Sequence, residues 1–426
     1  MNSLNNWYKL DNVAKLFPAV TTGRNSSTFR VSIILKREIK PDLLQNALDL
    51  VITRFPMFAV RIRRGLFWYF LESNDEKLLI QEEEDTPCGK IDKFKNNEYQ
   101  IRVLYYNKKI SIECFHSITD GVGALELLKL LALEYLKLDG NKIDNSGETL
   151  SIHDEASPYE TEDSFRTYFK NKKGEKIKVR PAYKLKGSNF NNFGNNVVKG
   201  IINISELKEV CNRDGVTITQ YIISLFIYSI FLEQSKSGDF KKDINIVVPV
   251  NLRSFFPSRT LRNFFSVIPI TITPKEGMEL KDIEKEVVAQ FKVKINSRVL
   301  DNDISANFRS EKLLLIRVAP LFIKNLILRI AFNRGTKNQT ASVSNLGVVN
   351  LPKGMDPHVD HVEAVLYSSR ENRINCAICS FNNRLSITFS RTILEPSIIK
   401  DFFTHLSQRE GLEVSIFSNH WDVNYE

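Results

Sequence analysis

A chain of 426 residues is too long for one ordinary hydrophobic core and long enough for two domains of roughly 150 to 200 residues each. With 42% hydrophobic and 26% charged residues, it is neither a largely disordered nor a fibrous sequence. The net charge of +9 favours anionic partners, yet the basic runs Arg61–Arg64 and Lys170–Lys173 do not interleave with aromatics in a nucleic-acid motif, so no nucleic-acid partner is expected.

The first 17 residues lack a basic stretch leading into an apolar one and lack a small-residue cleavage site, so no signal peptide is read there. Cys88, Cys114, Cys211, Cys376 and Cys379 are an odd, sparse set, which fits a reducing, cytoplasmic setting better than a disulfide framework. In chain order, Arg30–Leu35 reads as a strand, and Pro41–Phe55 as a helix opened by its proline. Phe58–Glu72 alternates on both sides of Arg64-Gly65, the pattern of a hairpin with a glycine turn. Glu98–Tyr106 and Lys109–His116 form a second hairpin across Asn107-Lys108, and a helix-period run follows it to Leu136. The polar stretch from Asp139 to Pro181 reads as a crossover linker.

Beyond the linker the same grammar returns. Asn195–Ile204 is a predicted strand, Ser205–Arg213 a short helix with Ser205 as its N-cap, Thr217–Gln234 a buried helix, and Ile244–Val250 a strand of the continuously apolar kind. Leu313–Phe332 is strongly apolar but carries Arg317, Pro320, Lys324 and Arg329, which argue against a membrane span. Core packing is the expected role, ahead of a surface-lying amphipathic helix. Thr340–Val349 and a last hairpin, Ile374–Phe381 with Arg384–Ser390 across Asn382-Asn383, complete the second unit. The expected class is α+β, with one domain over residues 1–175 and another over 176–426. No short-period repeat is present.

Chemistry gathers where the second hairpin meets its helix. Alternation puts Ile110, Ile112, Cys114 and His116 on one face, so the imidazole should point inward with the apolar row. Burial disfavours its charged form, and a neutral imidazole is a competent base near neutral pH. Asp120 lies at the start of the helix, and Gly121 gives the turn its freedom. Taken singly, a core histidine and a capping aspartate explain the same residues.

The joint pattern H-x-x-x-D-G, His116 to Gly121, resembles the signature of the coenzyme-A-dependent acyltransferase superfamily, which includes chloramphenicol acetyltransferase and the condensation domains of peptide synthetases. Four further stretches are similar to that superfamily, and most to its alcohol acetyltransferases: LQNALDLVITRFPMFAVRI (Leu44–Ile62), VVPVNLRSFF (Val247–Phe256), RNFFSVIPI (Arg262–Ile270) and SVSNLGVVNLP (Ser342–Pro352). The resemblance implies two chloramphenicol-acetyltransferase-like α/β sandwich domains with a tunnel between them. It makes His116 the general base that takes the proton from a hydroxyl or amine attacking an acyl thioester. Asp120 then organises the joint by pairing with an arginine, for which Arg253 is the candidate. Ser344, Asn345 and Gly347 are candidates for oxyanion or substrate binding, although S-N-L-G also suits an ordinary strand-end turn.

The same resemblance implies acyl-CoA as a co-substrate, no permanently bound cofactor, and an alcohol or lipid hydroxyl as acceptor. One departure matters: condensation domains carry two adjacent histidines, and this chain has Phe115 before His116. That weakens a peptide-synthetase reading and leaves the acetyltransferase and lipid acyltransferase branches standing, with an amide-forming enzyme or one that takes its acyl group from an acyl carrier protein as the nearest alternative. An acyl-binding module without turnover, or a protein peripheral at a membrane through Leu313–Phe332, are the readings from other classes. Two patterns are set aside. Cys376 and Cys379 are three apart in a predicted strand and face opposite sides, so they should neither bridge nor share a metal. His358, Asp360 and His361 lack the company of a zinc site and are expected in a solvent-exposed loop. No phosphate-binding loop of the Walker or dinucleotide type is present.

Overall fold

The computed structural model describes residues 7–23, 25–83, 86–145, 147–170, 180–190, 195–238, 240–311 and 318–419. The first part of the chain contributes β1 (Trp7–Lys9), α1 (Leu16–Val20), β2 (Thr28–Leu35), α2 (Pro41–Arg54), β3 (Val60–Arg64), β4 (Tyr69–Ser73), β5 (Ile80–Glu82), β6 (Ile101–Tyr106), β7 (Lys109–Phe115), α3 (Gly121–Leu138) and α4 (Ser164–Tyr168). The rest supplies β8 (Asn196–Asn203), α5 (Ile204–Asp214), α6 (Ile218–Ser235), β9 (Ile244–Asn251), β10 (Phe265–Ile272), α7 (Leu280–Lys294), α8 (Ser297–Glu311), α9 (Leu321–Thr336), β11 (Ala341–Val348), β12 (Val359–Leu366), β13 (Ile374–Phe381), β14 (Arg384–Arg391), α10 (Ser397–Thr404) and β15 (Val414–Ser418).

Two large sheets organise these elements, one of five strands in the order β12-β2-β7-β6-β5 and one of seven in the order β10-β9-β11-β13-β14-β8-β15. Strands β1 to β7 precede residue 176 and β8 to β15 follow it. Strand β12 crosses back to pair antiparallel with β2, from Leu35 opposite Val359 to Phe29 opposite Leu366. Each sheet packs helices on an apolar face. Ile110, Ile112 and Cys114 of β7 join Leu44, Leu48 and Val51 of α2 and Leu127 and Leu131 of α3 in one core. Ile222 and Phe226 of α6 join Ile246, Ile387 and Phe389 in the other.

The first sheet is buried on its polar side too. Glu113 accepts from Arg30 Nε at 2.9 Å and Arg102 Nε at 3.1 Å, and Ser32 meets Ser111 at 2.9 Å. The alternation of β7 therefore separates an apolar layer from a hydrogen-bonded one, not a core from solvent. Strand β13 partitions the two cores: Cys376 lies in one and Cys379 in the other, both buried free thiols, as their spacing predicts. The hairpins also form as read. Asn107 and Asn382 supply positive φ at their turns, 49° in each case. At Gly65 a Cβ would stand 2.7 Å from the Trp68 carbonyl oxygen, which explains glycine in that turn.

Several expectations need correction. Helix α5 is capped by Asn203, not Ser205: the Asn203 Oδ1 accepts from Ser205 N at 2.9 Å, because β8 delivers that carboxamide to the first turn before the serine is reached. The segment read as a crossover linker does run between the two large sheets, but its described part is docked on the body, with Arg54 bonding both Glu160 carboxylate oxygens at 2.8 Å. Residues 171–179 lie outside the described residues. The expected exposed loop at His358–His361 is largely strand β12, and His361 is buried between Asp360 and Lys199. A bulge between Val359 and His361 breaks the alternation that would have marked the strand. Core packing also fails for α9, whose Phe322, Leu326 and Ile327 stand exposed, while residues 312–317 lie outside the described residues. No single helix among the described residues is long and apolar enough to cross a membrane.

Candidate active site

Strand β7 ends at Phe115, and the backbone N–H of His116 is fixed by the Ser27 carbonyl at 2.9 Å. Its ring enters a cage of three aromatics. Phe17 stacks on it at 4.7 Å and 11°, Phe29 tilts against it at 4.8 Å, and Phe265 does so at 5.4 Å. Burial lowers the imidazole pKa below its ordinary 6.5, against the opposing pull of the Asp120 charge and the hydrogen bond with Asn263. At neutral pH the ring is uncharged.

Asn263 decides which nitrogen carries the proton. Its Nδ2 donates to the His116 carbonyl at 2.9 Å and to Asp11 Oδ2 at 3.2 Å. A peptide carbonyl can only accept, so the carboxamide has one possible orientation and its Oδ1 faces His116 Nδ1 at 3.0 Å. The proton therefore sits on Nδ1, and Nε2 carries the lone pair. Asp11 closes the chain from behind, buried, with Ala14 N on its other oxygen at 2.7 Å. Burial raises the pKa of Asp11, and the nearby Arg262 opposes that rise.

Asp120 caps α3, its Oδ1 accepting from Val122 N at 3.1 Å and Gly123 N at 3.3 Å. Its Oδ2 takes Arg253 Nη1 at 2.8 Å and Phe264 N at 2.9 Å. Arg253 is held in turn by the Thr260 and Arg262 carbonyls at 2.9 and 2.5 Å. Both charged side chains are about nine-tenths buried, so the pair is a fixed bolt whose loss strands a charge. Gly123 lets the helix approach closely, since a Cβ there would lie 2.1 Å from the Leu261 carbonyl oxygen.

These groups surround a cavity of about 120 Å³ between the two large sheets. It is lined by His116, Asp120, Gly121, Arg253, Ser344 and Asn345, with apolar walls from Phe29, Val31, Leu346 and Ala364. Six of the seven sequence candidates thus meet at one space. The seventh, Gly347, is not in the lining and serves as a left-handed turn residue with φ +77°. The side chain of Asn345 is engaged at both ends, with Thr219 Oγ1 at 2.7 Å and Gly347 N at 2.7 Å. Ser344 sits on β11 beside Ala377 of β13 and turns toward the cavity with it.

Two residues hydrogen-bonded into the candidate site escaped the sequence reading. Asn263 lies in the quoted Arg262–Ile270 segment, where only the resemblance pointed at it. Asp11 carried no signal at all. Among the described residues no group of three or more histidines, cysteines or carboxylates could hold a metal ion.

Against known structures, the chain aligns over nearly its whole length with two-lobed proteins. Polyketide synthase associated protein 5 from Mycobacterium tuberculosis matches with TM-score 0.65 and 12% identity, covering 95% of this chain and 98% of that one. The chain has the condensation-like acyltransferase fold. F. sporotrichioides TRI101, solved with coenzyme A and T-2, shares this fold at TM-score 0.59 and 11% identity, over 96% and 99% of the two chains. The starter condensation domain of rhizomide synthetase RzmA, solved with C8-CoA and Leu-SNAC, shares it at TM-score 0.56 and 12% identity, over 95% and 94%. No protein-family model and no curated protein matches the sequence. In this fold the cavity at His116 lies between the lobes, with β12 forming part of its wall.

Proposed function

We propose that the chain transfers an acyl group from acyl-CoA to the hydroxyl of an alcohol, with His116 as general base. The observation that carries this reading is the Asn263 clamp, which leaves Nε2 of a neutral ring as the proton acceptor at the edge of the cavity. The acceptor hydroxyl donates to Nε2. As its oxygen attacks the thioester carbonyl carbon, the proton passes to Nε2 and the carbonyl electrons move onto oxygen. The Ser344 hydroxyl donates to that oxyanion. Collapse re-forms the carbonyl, breaks the carbon–sulfur bond, and returns the Nε2 proton to the departing thiolate. The products are an ester and free coenzyme A.

Asp120 and Arg253 touch neither reactant in this scheme. They hold the start of α3 against the Arg253–Phe265 segment that carries Asn263, and so fix the ring indirectly. Known proteins of this fold have been solved with coenzyme A or an acyl-CoA, which supports the choice of donor. Incubation of the protein with acetyl- and octanoyl-CoA and a panel of alcohols, followed by mass spectrometry of the esters, tests the reading. His116→Ala should abolish ester formation with an unchanged circular dichroism spectrum, and retention of wild-type turnover by that variant refutes it. Product formed only from an acyl carrier protein would assign the donor to that alternative. A stoichiometric acyl complex without product would instead make the chain a binding module.

A further inference from the structure

Helix α9 is attached to the body by its polar side. Leu321 N donates to the Leu66 carbonyl at 3.0 Å, the buried Lys324 Nζ to the Phe67 carbonyl at 2.9 Å, and Asn325 Nδ2 to Tyr69 Oη at 3.0 Å. Lys324 Nζ also sits 3.5 Å from the Trp68 ring centroid, and Arg329 Nε donates to the Ala19 carbonyl at 2.5 Å. The opposite side carries Phe322, Ile323, Leu326, Ile327 and Ile330, spaced as one helical face, and all five are exposed, Phe322 by 65% and Leu326 by 59%. A helix in a globular protein ordinarily turns such a face inward. Leu66 and Phe67, 73% and 42% exposed, continue the apolar surface from the tip of the β3–β4 hairpin.

Charge identifies what covers this face. From Val318 to Lys337 the sequence has no acidic residue, and Arg329, Arg334 and Lys337 are exposed along it. Pairing with a second copy would bring two such basic rims together on chains already at +9. Beside the helix root lies a cavity of about 500 Å³, bounded by Trp7 and Trp68 and by Lys9, Lys15 and Arg166, with no carboxylate in its lining. An apolar face with a basic rim and indoles at its edge matches the interface of an anionic bilayer, where tails, phosphates and the headgroup boundary each meet their complement.

We infer that the α9 face and the Leu66–Phe67 hairpin tip dock the protein on anionic lipid surfaces. The inference stands apart from the catalytic reading, because binding is measured without turnover. Docking would bring the bilayer close to the site, since α9 packs on α1 and α1 carries Phe17, the ring stacked on His116.

Co-sedimentation of the full chain with vesicles tests it, using phosphatidylcholine alone and phosphatidylcholine mixed with phosphatidylserine. The expected result is binding to the mixed vesicles that weakens as salt rises. The double variant Leu326→Glu/Ile327→Glu should lose at least about tenfold in affinity, and Arg334→Glu/Lys337→Glu should lose most of the preference for phosphatidylserine. All four side chains are exposed, so thermal melts of both variants should match the wild type. Absence of binding to either vesicle overturns the inference, as does equal binding by the Leu326/Ile327 variant or indifference to phosphatidylserine. A dimer in analytical ultracentrifugation that the Leu326/Ile327 variant dissociates would also overturn it, by assigning the face to self-association.

Discussion

Replacing Asn263 with leucine keeps most of the side-chain volume and removes every hydrogen bond it makes: to His116 Nδ1, to the His116 carbonyl and to Asp11. In the ground state the ring bond joins two neutral groups and contributes about 1 kcal/mol. When the ring accepts the substrate proton it becomes a cation, and a hydrogen bond to a charged group is worth about 1.5–3 kcal/mol. The difference, about 0.5–2 kcal/mol, acts on the transition state, so kcat should fall roughly 2- to 30-fold. Asn263 is also one of the contacts that hold the imidazole pKa up against burial. Its loss lowers that pKa further, and the acid limb of the kcat/KM profile moves to lower pH. Leaving the His116 carbonyl and one Asp11 oxygen without the carboxamide costs about 1–3 kcal/mol per group, read as a lower urea midpoint. The rate assay is release of the coenzyme A thiol at saturating acyl-CoA and alcohol for kcat and at limiting acyl-CoA for kcat/KM, over about pH 5 to 8. A merely structural residue would lower the urea midpoint alone. A variant with the wild-type kcat and an unmoved acid limb refutes the clamp.

Asp120→Ala should destabilise the fold by about 3–5 kcal/mol in urea unfolding, because it uncaps α3 and leaves the Arg253 charge buried without its partner. Gly121→Ala should fold normally yet raise KM for acyl-CoA: its Cβ would fall 2.5 Å from Leu346 Cδ2, a movable side-chain end that can yield only by shifting within the cavity wall. Gly123→Ala, against the fixed Leu261 carbonyl, should instead lower stability by more than ~2 kcal/mol, visible as a lower Tm. For Glu363, burial works against ionisation, but the Lys199 and Lys109 ammonium groups overcome it and draw the carboxyl from 4.5 down to about 2. A depressed carboxyl stabilises the fold above the unfolded pKa and loses that contribution as pH falls through the folded one. Glu363→Gln should therefore cost about 3 kcal/mol at neutral pH, with its deficit against the wild type closing between pH 4.5 and 2 in acid titrations followed by circular dichroism.

The parts of this molecule legible in its sequence are those with local causes. Hairpins at Asn107 and Asn382 announce themselves through turn residues that accept positive φ, and the joint at His116–Gly121 through a change of period. The Asp120–Arg253 pair was reachable only through the resemblance, since 133 residues separate the partners. Asp11 was beyond reach, because it meets Asn263 across 252 residues and nothing near it in sequence is unusual. Strand β12 was hidden by its own bulge. The case of α9 is different in kind: periodicity says which residues share a face, but not whether that face turns toward the core or away from it. Core packing was the natural expectation for so apolar a run, and only the polar anchors at Lys324 and Asn325 reveal that the helix is mounted the other way round.

The ring of His116 belongs to the first half of the chain, while the groups that orient it, Asn263 directly and Arg253 through Asp120, belong to the second. Isolated from that second half, the imidazole would have both nitrogens open to water and would divide between tautomers, only one of which leaves Nε2 able to accept a proton. The joint between the lobes therefore does more than enclose a cavity. Thr119 Oγ1 donating to the Leu261 carbonyl at 2.6 Å, the close approach at Gly123, and the return of β12 to the first sheet all lock the register between the halves. A shift of one ångström along the direction of the 3.0 Å bond from Nδ1 to Asn263 would stretch it beyond hydrogen-bond range. Under the proposed function, the competence of the base is thus a property of the docked pair of lobes, which gives a physical reason for burying an ion pair beside the His116 ring where a hydrophobic contact would hold the lobes together just as well.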